Sequence, residues 1–267
     1  ALVQVSPCGK DYESGDVFCI VEGCTHVAAP LLVAADGTVR TIANAMQALD
    51  EKRSLLQRLV SKGFHVKRYD DDNQRIYKSI PFKLPKEWRP DLNYSARTKR
   101  FNFDALPANN KGDYCGVLLL RTNDPLAQAN TDPKELRDLL DEYVPQFSEL
   151  ITNATIDAVA AKPVSYLPGF RYAGPRLHQG AATILLGDCA HTVKPYFGLG
   201  ANSALEDVEI LADYLDKYNN STEAAIQAFS EHRAPESKTL VRISRELDRP
   251  GWRGFVVFIL PIILDSI

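Results

Sequence analysis

Gly187-Asp188-Cys189-Ala190-His191 is followed closely by Pro195-Tyr196-Phe197-Gly198-Leu199-Gly200-Ala201-Asn202 and by the acidic pair Glu206-Asp207. The stretch runs from a strand-like segment, AATILLGD, into a segment of helical spacing, with a Pro/Gly-bracketed turn between them. An acid at the end of a buried parallel strand stands where open α/β sheets usually meet their ligands. A carboxylate there, Asp188, can accept hydrogen bonds from a polyol chain. Gly198-Leu199-Gly200 lets a ligand approach the backbone without obstruction by Cβ atoms. It then delivers the chain into a helix beginning near Ala201 or Asn202. The free amides and positive dipole end of that helix face the turn, so an anion is the natural guest.

Each of these residues also has a plainer role open to it. Asp188 can N-cap a turn. Glu206, Asp207 and Glu209 fit a solvated acidic helix start favoured by the dipole. Asp188 and His191 lack a second acid-and-histidine cluster to complete a metal site, so no metal is expected and His191 is read as ordering the turn. Cys189, with no CxxC partner, is read as a buried thiol.

The elements that must position this stretch are legible on both sides of it. Residues 15–35 read as two strands, DVFCIVEG and HVAAPLLVAADG, the second closing on the turn signal Asp36-Gly37. Ile42 to Leu59 has helical spacing, with Gly63 as its stop. Phe101 and Phe103 alternate with polar residues before the turn Asn109-Asn110-Lys111-Gly112 and an apolar run to Leu120, which predicts a hairpin in an antiparallel sheet. Asp132, Pro133 and Glu135 form a capping-box start for a helix whose apolar stripe is Leu136, Leu139, Leu140 and Tyr143 and which Pro145 ends. AATILLGD is a continuous apolar run, as for a strand buried on both faces. Ala204, Leu205, Val208, Leu211 and Leu215 then recur at helical spacing, and residues 223–248 predict a further helix interrupted near Pro235.

The 267 residues suffice for a substantial core, and a net charge of −3 gives no basic face for nucleic acid. Five cysteines without a CxxC pair suit reduced thiols in an intracellular setting, cytoplasmic or at an organelle membrane. The start at Ala1 has neither the basic nor the apolar part of a signal peptide and reads as the middle of a protein. Phe255 to Leu264 is apolar but shorter than the ~20 residues of a spanning helix. It reads as a buried terminal helix, with membrane association, anchored by Trp252 and Arg253, as the alternative.

The stretch from Gly187 to Leu211 closely resembles the third flavin-binding motif of single-component, FAD-dependent aromatic monooxygenases: G-D-A-A-H, then P-x-x-G-x-G, an asparagine and an acidic pair. Phe197 before the first glycine, and Leu106-Pro107, look most like the kynurenine 3-monooxygenase branch. LLVAADGTVRTIA resembles the family's DG motif through Ala35, Asp36 and Gly37. The resemblance implies an α/β fold: a Rossmann-like FAD/NAD(P)-binding domain, interrupted by a mostly antiparallel substrate domain. The expected division is 1–45 and 181–220 for the FAD-binding domain, 46–180 for the substrate domain and 221–267 for a C-terminal helical segment.

The resemblance also assigns roles. Asp188 would bind the ribityl region of FAD. Gly200, Ala201 and Asn202 would meet the isoalloxazine edge, and Gly198 and Leu199 belong to the same cofactor-binding turn. Asp36 would serve the FAD/NADPH side, with Gly37 as its cofactor-binding neighbour in the DG motif, and Pro195 and Phe197 would lie near the reacting face of the ring. No catalytic side chain is implied, because reduced flavin and O2 form the oxidant as a C4a-hydroperoxide. NAD(P)H would be the electron donor and a small aromatic or apolar molecule the substrate. Three departures stand out. No GxGxxG occurs, so the chain is expected to correspond to the C-terminal two-thirds of such an enzyme. Ala43 stands where the DG motif usually ends in arginine. Leu247 stands near the place of an asparagine that contacts kynurenine, so another aromatic, polycyclic or isoprenoid substrate is expected. The competing readings are a non-catalytic remnant that binds no FAD and an isoprenoid epoxidase or reductase of the same fold.

Overall fold

The protein is described from a computed structural model, which covers residues 4–6, 17–20, 27–54, 63–69, 74–195 and 198–248, with backbone alone for 4–6, 17–20 and 27–28. The chain divides into two compact units, Ala1–Asn73 with Pro168–Ile267, and Gln74–Leu167.

In the first unit β1 (Gln4–Ser6), β2 (Val17–Ile20) and β3 (Val27–Ala29) form an antiparallel meander. β4 (Leu32–Ala34) belongs to a different sheet. The single strand expected over HVAAPLLVAADG is therefore two. Pro30 has no N–H to give a ladder, and the chain changes sheets there. β5 (His65–Arg68) lies in a third sheet with β11 (Arg171–Gly174) and β14 (His191–Thr192), all antiparallel. β4 runs parallel to β13 (Thr183–Leu185), with β12 (His178–Gln179) antiparallel on the far side. All three residues of β13 are buried, as its unbroken apolar run requires.

Among the described residues the α-helices of this unit are α1 (Thr41–Glu51), α5 (Leu199–Lys217) and α6 (Thr222–Leu247). The expected helix to Leu59 stops at Glu51, and residues 55–62 lie outside those described. At its end the buried Asp50 carboxylate accepts from the Phe64 amide at 2.6 Å and from Arg176 at 2.8 Å. The interruption expected at Pro235 does not occur; α6 is one helix of 26 residues. Ile226, Phe229, Ala234 and Val241 are buried on both sides of the proline, and tertiary packing holds the two halves in line despite the lost hydrogen bond.

The second unit is a five-stranded antiparallel sheet, ordered β10-β6-β9-β8-β7. Its strands are β6 (Arg75–Lys83), β7 (Tyr94–Arg97), β8 (Asn102–Pro107), β9 (Asp113–Arg121) and β10 (Ser165–Tyr166). The expected hairpin is β8–β9, and Gly112 takes φ +81° in its turn. Phe82, Phe103, Tyr114 and Phe147 form the middle of a core closed by α2 (Pro133–Tyr143), α3 (Pro145–Ser148) and α4 (Asn153–Ala161). Asp132 caps α2 as expected, accepting from the Lys134 amide at 2.9 Å. Leu136, Leu139 and Leu140 are buried. Tyr143, expected in the same stripe, is 39% exposed and meets the Phe101 ring in a T-shaped contact.

Candidate functional site

Parallel pairing of β4 with β13 brings two turns side by side at the strands' C-terminal ends: Asp36-Gly37 after β4 and Gly187-Asp188 after β13. The Leu186 amide donates to the Ala34 carbonyl at 3.0 Å, and the Cys189 thiol donates to the same carbonyl at 2.7 Å. Gly187 sits at φ +62°, and a Cβ there would lie 3.2 Å from the Ala204 Cβ. Glycine thus lets the turn take a left-handed conformation and lets α5 lie close against it.

α5 begins at Leu199, two to three residues before the expected start, because Gly198 takes the left-handed conformation, φ +65°, at its N-cap. No side chain caps this end of the helix. Leu199, Gly200, Ala201 and Asn202 make its first turn, whose amides have no intrahelical acceptor. A Cβ on Gly200 would stand 3.4 Å from Val193 Cγ2 and 3.9 Å from Asp188 Oδ1. The Asp188 carboxylate therefore lies beside the bare first turn of α5. Pro195 is exposed and its carbonyl accepts from the Gly198 amide at 3.2 Å. Phe197 lies outside the described residues.

Asp207 does not belong to a solvated helix start. It is fully buried, although its neighbours Glu206 and Glu209 are exposed. Its Oδ2 accepts from the Gly187 amide at 2.8 Å and meets His191 Nε2 at 2.8 Å, while Oδ1 accepts from Arg233 Nε at 2.8 Å. Burial alone would raise this carboxyl's pKa. The contacts with His191, the Gly187 amide and Arg233 outweigh burial and hold it below the usual carboxylate range. His191, itself 0% exposed, does order the turn, through Asp207. The apolar stripe read through Leu205 and Val208 is corrected by the same observation. Those residues are 70% and 56% exposed, and the inward stripe is Ser203, Asp207 and Leu211. Four-residue spacing of an acid with Leu211 was the available signal. The apolar Leu205 and Val208 masked it.

Asp36 serves its own helix. Its Oδ2 accepts from the Thr41 and Ile42 amides, satisfying two free donors at the start of α1, and its buried Oδ1 has no partner among the described residues. Gly37 opens the 3-10 turn at φ +63°. Arg40 is the residue that the sequence reading missed. It is 1% exposed at φ +56°, and its guanidinium donates to the carbonyls of Thr38 and Asp188 and to Thr192 Oγ1. Burial, with the like charge of Arg171, lowers its pKa to about 10. Cys189 is buried as expected, and burial pushes its thiol up to about 12.

The apolar tail Phe255–Leu264 lies outside the described residues. Among the described residues no helix is long and apolar enough to cross a membrane.

The arrangement offers an acceptor, Asp188, and a row of backbone donors, the first turn of α5, separated by a glycine surface. Kynurenine 3-monooxygenase of Aspergillus oryzae is 29% identical over 206 residues, covering 68% of this chain and 40% of the fungal protein. The protein of the same name from Salinispora arenicola is 27% identical over 222 residues, covering 82% of this chain and 45% of its own length. The chain thus spans less than half the length of these two relatives. In fold it is similar to a variant of Klebsiella pneumoniae HpxO complexed with FAD, with a TM-score of 0.63 at 17% identity over 99% of this chain and 61% of that one. It is also similar to pqsL of Pseudomonas aeruginosa, a probable FAD-dependent monooxygenase, with a TM-score of 0.59 at 19% identity over 96% of this chain and 66% of that one. The family described as FAD binding domain matches residues 11–244, most of the chain, and the protein belongs to that family.

Proposed function

We propose that the chain is part of an FAD-dependent monooxygenase of the kynurenine 3-monooxygenase kind, hydroxylating an aromatic or related small molecule with NAD(P)H and O2. The observation that carries this reading is the Asp188 carboxylate beside the uncapped, glycine-lined N-terminus of α5. The residues fit a flavin. The ribityl chain presents hydroxyl donors, which suit an acceptor-only carboxylate. The pyrimidine edge presents acceptors and, when reduced, negative charge, which suits the free amides and dipole of α5 at ~0.3–2 kcal/mol. A side chain at Gly200 would fill the space between them.

When bound, the flavin supplies the redox chemistry. The residues of this chain orient it: Asp188 would hold the ribityl region, and Gly198 to Asn202 the ring edge. Asp36, whose second oxygen has no partner among the described residues, would face the nucleotide side. In this reading the FAD-binding domain, expected at 1–45 and 181–220, lies in the first unit, the sheet-bearing unit 74–167 forms the substrate domain expected within 46–180, and α6 supplies the helical segment expected after 220.

Two substitutions test the site. Titrated with FAD, Asp188→Ala should bind about tenfold or more weakly than the parent, the equivalent of one hydrogen bond to a charged group. An unchanged dissociation constant sinks the assignment of Asp188. Gly200→Val should lose flavin binding while its far-UV circular dichroism stays at the parent's level. A variant that unfolds instead would make Gly200 a packing residue.

A further inference from the structure

We infer that Arg40 is a positioning residue, whose buried guanidinium holds the Asp188 turn in place by bridging it to the Asp36 turn. The inference rests on the flavin reading for its consequence, but its geometry stands alone. Three hydrogen bonds place the guanidinium between the two turns. One goes to the Thr38 carbonyl within the first turn at 3.1 Å, and two go across to the Asp188 carbonyl and Thr192 Oγ1. Thr192 Oγ1 in turn donates to the Asp188 carbonyl at 2.8 Å, so the peptide that follows Asp188 is gripped from two directions. A planar guanidinium holds its donors in a fixed fork that reaches acceptors on two sides, whereas an ammonium is a more compact group without that fixed geometry.

The backbone at Arg40 supports the same conclusion. φ +56° is unfavourable for a residue with a side chain, and glycine would adopt it freely. At Arg40 that cost is set against the hydrogen bonds of the buried guanidinium. Ala43, where the resemblance would have put the arginine, is 0% exposed within the core of the first unit, which leaves no room for a long polar side chain. In this chain the cation comes from Arg40, three residues earlier, at the N-cap of α1.

The decisive variant is Arg40→Gly, which relieves the backbone and removes the side chain with its guanidinium. Cys189 lies inside the held turn, so its alkylation by iodoacetamide, followed by peptide mass spectrometry without flavin, reports opening of that turn. Alkylation of Cys189 should quicken roughly tenfold or more, the population shift expected from one lost charge-assisted hydrogen bond. Cys115, in the other unit, should react at the parent's rate. FAD affinity should fall by a similar factor, and millimolar guanidinium should restore part of both losses, which mere unfolding would not allow. Should Arg40→Gly fail to fold, Arg40→Lys and Thr192→Val decide, each with a smaller change in the same direction. Parental Cys189 protection in Arg40→Gly, or in both of the milder variants, overturns the inference. A parent chain that binds no FAD would instead overturn the proposed function, and the cysteine measurement would still judge Arg40.

Discussion

Asp207→Ala is expected to destabilise the protein by about 3–5 kcal/mol, the range for breaking a buried, hydrogen-bonded ion pair by removing one partner. One carboxylate satisfies the Gly187 amide, His191 and Arg233 together, and all of these are buried. Without it the amide and the imidazole lose their acceptor. Arg233 keeps Glu236 at 2.6 Å and Glu206 at 3.0 Å, both about half exposed, which places the effect toward the lower end of the range. Urea unfolding at pH 7 measures it. A shift equivalent to less than about 1 kcal/mol, the value of a single ordinary hydrogen bond, would show that the network is dispensable.

The pH dependence has a definite sign. The folded-state pKa of Asp207 is depressed, so its contribution is present above the unfolded carboxyl value and is lost as pH falls through the folded one. The gap between parent and variant should therefore hold from neutral pH down to about pH 4 and narrow below it. A gap that widens in acid would contradict the assignment.

Phe103→Ala, in the other unit, is expected to cost about 3–5 kcal/mol. The ring is fully buried, 5.0 Å from the centroid of Phe147 and 6.4 Å from that of Phe82. It also occupies the space above Gly116, where an added Cβ would fall 2.5 Å from Phe103 Cζ. Gly116→Ala alone should thus cost about 1–3 kcal/mol by overpacking. Combined with Phe103→Leu it should cost less than the sum of the two, because the shorter side chain vacates the space that the methyl needs. Strict additivity in equilibrium unfolding would mean that the ring and the glycine do not share that space.

The elements with an unambiguous period were legible in the sequence. β13 is an unbroken apolar run, and the β8–β9 hairpin alternates around an Asn-Asn-Lys-Gly turn. The Asp188 and Gly200 pairing was legible through the motif spacing, since a strand end and a helix start separated by a short turn must lie close. What failed shares one cause: residues whose role is fixed by partners far along the chain. Asp207 looks solvated until Arg233, 26 residues on, is brought against it. Arg40 looks like a surface arginine in a turn until β4 and β13 pair and present it with the Asp188 carbonyl, 148 residues away. Pro30 and Pro235 show the same limit from the backbone side. Local chemistry forbids one hydrogen bond at each, and tertiary packing decides whether the element breaks.

The second unit begins and ends on hydrogen-bonded neighbours: Leu167 donates to the Arg75 carbonyl at 2.9 Å, and Ser165 pairs with Tyr77. This has a consequence for the order of folding. β4 and β13 are separated by roughly 150 residues of chain, but once the inserted sheet has closed on itself the effective loop between them shrinks to roughly 55, lowering the entropic cost of bringing them together by about 1 kcal/mol. Two of the four strand pairs in this sheet, β7–β8 and β8–β9, join neighbours in sequence, and such contacts form early. The insertion therefore acts as a kinetic clasp: the parallel pair that aligns the two turns forms fastest after residues 74–167 have folded.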